Sequence, residues 1–224
     1  MTLPSPNAAL FDLDGTLVAT LTLYFESFAY ALEPVFGRRL SREEMAVHHP
    51  RSEVRFLREL SGDEHHPWVM ERFYSHYAER HDDAFEGIYP GVPEMLDRLR
   101  AAGVPIGLVT GKSRRSWSIT GPRIELGEFP VGIFDDDVPA AKPDPTGLRL
   151  ALERLGRAPG EVIYVGDSVT DLEAARRAGV RPGGVLWSKR DGERDAFRRR
   201  ALELDGLAFE TPDQVVELLL PEEG

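Results

Sequence analysis

Cysteine is absent from this 224-residue chain, which removes disulfides, thiolate nucleophiles, CxxC zinc sites and iron–sulfur ligation together. Long apolar runs are missing too. None approaches the ~18 residues of a membrane span, and Met1 to Ala9 carry no basic segment followed by an apolar stretch, so a soluble, cytoplasmic protein is expected. Positive charge is in short supply: 27 Lys and Arg face 38 Asp and Glu, a net charge of −11 at pH 7. That field opposes nucleic acid and anionic membrane as partners. Histidine is scarce and confined, all six lying between Arg42 and Phe85, so chemistry elsewhere proceeds without imidazole and a Ser-His-Asp triad is disfavoured. The adjacent pairs His48-His49 and His65-His66 have poor spacing for a zinc site, because consecutive side chains on a helix do not share a face. What remains is a chain that is 42% hydrophobic and 29% charged, enough to bury a core in one large domain, or one domain with a small companion.

The apolar run Ala8-Ala9-Leu10-Phe11 does not alternate and stops at Asp12-Leu13-Asp14-Gly15-Thr16, as a buried parallel strand feeding a polar loop does. Further strands are predicted at Val104–Thr110, Val131–Phe134, Val162–Val165, Gly184–Trp187 and Leu207–Phe209. Amphipathic helices are predicted between them at Val92–Ala102, Thr146–Leu155, Ser168–Ala178 and Thr211–Leu220. This alternation implies an α/β fold, a Rossmann-like parallel sheet with helices on both faces. From Ala19 to Gly87 no strand is predicted, only helical pieces at Leu21–Phe36, Ser41–Val47, Ser52–Leu60 and Trp68–His81. An inserted all-helical domain at residues 19–87 is therefore expected, with a core made of residues 1–18 and 88–224 and hinges at Val18–Thr20 and Phe85–Gly87. Trp117, Trp187, Phe25 and Phe28 are expected to pack rather than to serve as ligand platforms, and Arg198-Arg199-Arg200 to form a solvated helix face.

Chemistry-bearing residues fall at the C-terminal ends of predicted strands, where open α/β sheets bind ligands. Asp12 and Asp14, two apart across a strand end, aim at one crevice and would repel unless a cation lay between them or one held a proton. A hard divalent ion such as Mg²⁺ suits an oxygen-only site, with Asp167 adding an oxygen from a neighbouring strand and Asp171, one turn on, supporting it. A carboxylate so placed can attack phosphorus if lysine and hydroxyl or backbone donors neutralise the developing charge. Thr110-Gly111 and Lys142, the latter in Lys-Pro-Asp-Pro where two prolines would hold the loop extended, are the donors available.

Asp12-Leu13-Asp14-Gly15-Thr16-Leu17-Val18, Thr110-Gly111-Lys112, Lys142-Pro143-Asp144-Pro145 and Gly166-Asp167-Ser168-Val169-Thr170-Asp171 resemble, in order and spacing, the four motifs of the haloacid dehalogenase-like hydrolases. The resemblance extends over essentially the whole chain, with the helical insert similar to the family's small cap and Phe134–Pro145 similar to its phosphoglycolate phosphatase branch. It implies that Asp12 is the nucleophile and a Mg²⁺ ligand, and that Asp14 is the general acid and then base, its backbone carbonyl also binding the metal. It further implies that Thr110, Gly111 and Lys142 hold the phosphoryl oxygens, Lys142 also holding Asp12, while Asp167 is a metal ligand supported by Asp171. Asp14 favours a phosphatase over a dehalogenase, since dehalogenating members lack that second acid. The implied activity is Mg²⁺-dependent hydrolysis of a small phosphoglycolate-like metabolite through an aspartyl phosphate, by a monomer or homodimer. β-Phosphoglucomutase-like transfer and pyrophosphatase activity are alternatives on the same scaffold. A receiver-type signalling domain matches only about half the chain, and an EF-hand fails because Gly15 comes two positions early and Leu23 stands at the bidentate Glu position. Relatives commonly carry an acidic or polar residue where this chain has Ala19. Within the insert, Arg51 in His48-His49-Pro50-Arg51-Ser52 occupies the place of the family's specificity loop and could grip a carboxylate or second phosphate.

Overall fold

A computed structural model of the protein describes residues 6–48, 50 and 52–221. Six strands, β1 (Ala8–Phe11), β2 (Ile106–Val109), β3 (Val131–Ile133), β4 (Val162–Gly166), β5 (Arg181–Val185) and β6 (Leu207–Phe209), form one sheet in the order β3-β2-β1-β4-β5-β6. Every pairing is parallel. Side chains alternate across β1, so Ala9 and Phe11 enter one apolar layer with Met95, Leu96 and Val216, while Ala8 and Leu10 enter the opposite layer with Leu148, Ala151 and Ala174. Helices α4 (Val92–Ala101) and α9 (Pro212–Leu219) cover the first face, and α6 (Thr146–Leu155) and α7 (Val169–Ala178) the second, as the alternation of strands and helices predicts. The chain winds outward from β1 to β3 and then returns to place β4 on the other side of β1, so a crevice opens at the C-terminal ends of β1, β2 and β4.

Between β1 and α4 stand only helices: α1 (Leu21–Phe36), α2 (Arg42–Ala46) and α3 (Glu53–Ala84). They enclose an apolar cluster of their own, centred on Leu23, Phe28, Leu57, Phe73 and Tyr77. Two helices are expected where α3 runs, and α3 is indeed two helical stretches joined by a kink at Gly62, whose φ of 73° and ψ of 163° break the helical path. Pro67 lies five residues past this break, within the second stretch. The two connections to the sheet lie side by side: Ala19 N–H donates to Gly87 O at 2.9 Å, Glu86 N–H donates to Ala19 O at 3.1 Å, and Val18 bridges Ile88. Ala19 thus ties the two connections together through its backbone.

Helices α5 (Arg114–Thr120) and α8 (Asp191–Glu203) complete the fold. The fifth strand is Arg181–Val185 rather than the expected Gly184–Trp187, because Pro182, Gly183 and Gly184 conceal it from a reading based on strand formers. Among the described residues no helix is long and apolar enough to cross a membrane.

Candidate active site

Asp12 follows directly on β1, its N–H donating to Val165 O at 2.9 Å, and its side chain is buried. The chain then turns at Gly15, where φ is +85° and a Cβ would stand 2.7 Å from the Asp167 carboxyl. Only glycine satisfies both the left-handed backbone and that approach. Asp167 follows β4, and Ser168 caps α7 in a reciprocal capping box with Asp171: Asp171 N–H donates to Ser168 Oγ at 3.1 Å and Ser168 N–H donates to Asp171 Oδ2 at 2.9 Å. Gly166 lets that box form against the strand, since a Cβ there would lie 2.5 Å from Asp171 Cβ.

Lys142 draws this end together. Its ammonium donates to Asp12 Oδ1 at 2.8 Å and to Tyr164 Oη at 2.9 Å, and lies 2.6 Å from Asp171 Oδ1. Tyr164 in turn donates to Val109 O at 2.7 Å, fixing the phenol that supports the lysine. The loop bearing Lys142 is a tight turn closed by Asp144 N–H to Ala141 O at 3.0 Å, not the extended segment that its prolines suggest. Lys189 Nζ donates to Asp167 Oδ2 at 2.8 Å.

Each of Asp12, Asp167 and Asp171 offers a carboxylate oxygen, and these oxygens lie within 4.8 Å of one another. Burial pushes Asp12 well above the usual carboxylate range; Lys142 counters this while Asp171 and Asp167 add to it. Burial raises Asp167 as well, against the opposing pull of Lys189. Burial also works against the Asp171 carboxylate, but Lys142 and Ser168 hold it below the usual range. Burial alone would depress Lys142; Asp12 and Asp171 instead hold its ammonium well above the usual lysine range. A crowded set of hard oxygen donors of this kind fits a small divalent cation.

Asp14 lines the same cleft but stands apart from that trio. Thr20 Oγ1 donates to its Oδ1 at 2.6 Å, and Lys112 Nζ donates to the same oxygen at 3.0 Å. Thr110, just past β2, is buried; its N–H donates to Ile133 O at 3.0 Å and its Oγ1 accepts from Lys112 N–H at 3.1 Å, which leaves the hydroxyl proton for a ligand in the cleft. Gly111 lines the cleft beside it. Arg51 lies outside the described residues.

The cleft holds about 720 Å³ between the sheet edge and the insert. Leu21, Tyr24, Phe25, Phe28, Ala46 and Pro50 form its insert side, so Phe25 and Phe28 border the cleft in addition to packing. Trp187 packs on the core and donates Nε1–H to Thr16 O at 2.9 Å. Sequence patterns give no notice of Lys189 or Tyr164. Lys112 lies within the Thr110-Gly111-Lys112 motif, three residues past the end of β2, and the motif assigns it no role.

The haloacid dehalogenase-like hydrolase family matches residues 9–185. The pyrophosphatase PpaX of Bacillus velezensis is 35% identical over 188 residues, 81% of this chain and 84% of its own length. Phosphoglycolate phosphatase 1 of Pseudomonas aeruginosa is 32% identical over 235 residues, 98% of this chain and 84% of its own. The crystal structure of a "putative phosphoglycolate phosphatase" from Lactobacillus plantarum superposes with a TM-score of 0.74 at 26% identity, covering 96% of this chain and 100% of that one. With the motif residues gathered at one sheet edge and these relatives alongside, the chain belongs to the haloacid dehalogenase-like hydrolases, and to the phosphatases among them.

Proposed function

We propose that this phosphatase hydrolyses a small phosphorylated metabolite, of the phosphoglycolate or pyrophosphate kind named for its relatives, through an aspartyl phosphate on Asp12. The observation that carries the reading is the junction of Asp12, Lys142 and Asp171 beside Asp167, which leaves one buried carboxylate oriented by an ammonium and facing a cleft. Asp12, Asp167 and the Asp14 backbone carbonyl would hold Mg²⁺, with Asp171 behind them. Bound there, the ion would neutralise charge on the phosphoryl oxygens and on the attacking carboxylate.

In the first half-reaction an Asp12 oxygen bonds to phosphorus as the bond to the leaving oxygen breaks, and the Asp14 carboxyl proton passes to that oxygen. In the second, Asp14 as carboxylate takes a proton from water while the water oxygen bonds to phosphorus and the acyl phosphate opens. This returns both aspartates to their starting forms. Thr110 and Gly111 donate to the phosphoryl oxygens, and Lys142 keeps Asp12 aimed and offsets the charge gathered in the transition state. Residues 19–87 serve as the cap that closes over the leaving group and excludes water.

The test is a phosphometabolite panel with Mg²⁺ that includes phosphoglycolate, pyrophosphate and β-glucose 1-phosphate. Release of inorganic phosphate from one of the first two, abolished in Asp12→Asn, is the expected result. Conversion of β-glucose 1-phosphate to its 6-phosphate without phosphate release would favour transfer over hydrolysis, and full turnover by Asp12→Asn would remove the mechanism.

A further inference from the structure

Lys112 is an almost fully buried ammonium, and each of its three N–H bonds has a partner: Asp14 Oδ1 at 3.0 Å, Tyr24 Oη at 2.6 Å and Tyr77 Oη at 2.9 Å. The partners come from three separate pieces of the chain, the loop after β1, helix α1 and helix α3. A buried ammonium is costly unless fully paired, so this tripod is satisfied only while the insert sits on the core. Neighbouring contacts hold the same place: Glu53 at the start of α3 accepts from Ser113 N–H at 3.1 Å and from Ser116 Oγ at 2.7 Å, and Tyr74 Oη donates to Ser113 Oγ at 3.1 Å. Tyr77 Oη also shares a hydrogen bond with Thr120 Oγ1 at 2.9 Å. Lys112 has no N–H left for a phosphoryl oxygen, and the nucleophile end of the cleft is already served by Lys142.

We propose that Lys112 is a positioning residue for Asp14, and that Tyr24 and Tyr77 make this positioning depend on the docked insert. The inference rests on the acid–base role proposed above for Asp14. Thr20 and Lys112 together fix one carboxylate oxygen, and Tyr24 Oη stands 3.4 Å from the other, so the geometry at which Asp14 meets the leaving oxygen is set jointly by core and insert. An acid that is misplaced harms a substrate in proportion to how much its leaving oxygen needs a proton.

The experiment compares first-turnover phosphoenzyme formation from an alkyl phosphate, phosphoglycolate, with that from p-nitrophenyl phosphate, whose phenolate leaves without protonation. In Lys112→Met the alkyl rate is expected to fall about 100-fold, within the range for general acid catalysis, and the p-nitrophenyl rate about threefold or less. Phosphoenzyme then accumulates with p-nitrophenyl phosphate because water activation is slowed as well. Tyr24→Phe/Tyr77→Phe keeps the bulk and removes the tether; the same skew, at about 10-fold, is expected, and this double variant carries the test if Lys112→Met does not fold. Equal losses on both substrates, or a change confined to KM, would overturn the inference. Failure of the wild type on every phosphate ester, or full turnover by Asp12→Asn, would instead bring down the proposed function and this inference with it.

Discussion

Lys112, fully buried, and Lys142, half-buried, both border the cleft, and their partners come from different places. Lys142 is held by Asp12, Asp171 and Tyr164, all carried by the sheet and the elements that follow its strands, so the Asp12 end of the cleft is assembled without the helical insert. Lys112 is held by one core carboxylate and two phenols of the helical insert. The same kind of charge therefore produces two dependences. One end of the site is ready whenever the sheet is folded; the other is complete only when α1 and α3 are packed against it. In the reaction proposed above, such a division would keep Asp12 aimed at all times and complete the placement of Asp14 only with the insert docked.

Breaking the core end should cost most. Asp12→Asn is expected to abolish turnover of every phosphate ester while leaving the thermal transition close to that of the wild type, measured by phosphate release beside a circular dichroism melt. Next, Lys142→Ala should lower kcat on the order of 10²–10³, as loss of a major electrostatic donor does, and for phosphoglycolate and p-nitrophenyl phosphate alike. That uniform loss is the counterpart of the skewed loss expected at Lys112. Arg51→Ala should raise KM for the natural substrate with little effect on p-nitrophenyl phosphate; equal effects on both would remove Arg51 from the leaving-group pocket.

The smallest effect concerns the insert itself. His81 is buried against Thr120, with its imidazole lowered from the ordinary value by burial, and burial lowers His66 and His76 as well. A folded state that binds the proton less well than the unfolded chain keeps its full stability above the ordinary histidine value of ~6.5 and loses it as the pH falls below that. The melting temperature should therefore drop between about pH 7.5 and pH 5, and His81→Gln should flatten part of the drop. A pH-independent melting temperature across that window would argue against these shifts.

The gathering of Asp12, Asp167 and Asp171 was legible in the sequence because these residues sit where local rules force them. Gly15 and Gly166 mark close approaches, Ser168 and Asp171 form a capping box, and Asp12 and Asp167 end apolar strands. The Asp14 partners were not legible. Thr20 precedes α1, while Tyr24 and Tyr77 lie on helices whose periodicity reports burial but not what a phenol meets across an interface, and Lys112 is 35 residues from Tyr77 and 88 from Tyr24. Lys189 meets Asp167 only because β5 pairs with β4. A helix face at Arg198–Arg200 follows from the charge run, but the bounds of α8 do not, because only Phe197 and Ala201 are buried along thirteen mostly charged residues, too few to set a period. Helix α5 has seven residues, fewer than two full turns.

Covalent capture of phosphorus by Asp12 is the central step of the proposed reaction. Rapid mixing with p-nitrophenyl phosphate and Mg²⁺, acid quench and peptide mass mapping should find one phosphoryl group on Asp12, absent from Asp12→Asn and increased in Lys112→Met. A phosphoryl group on another residue, or catalysis with none on Asp12 at any time during turnover, would contradict it.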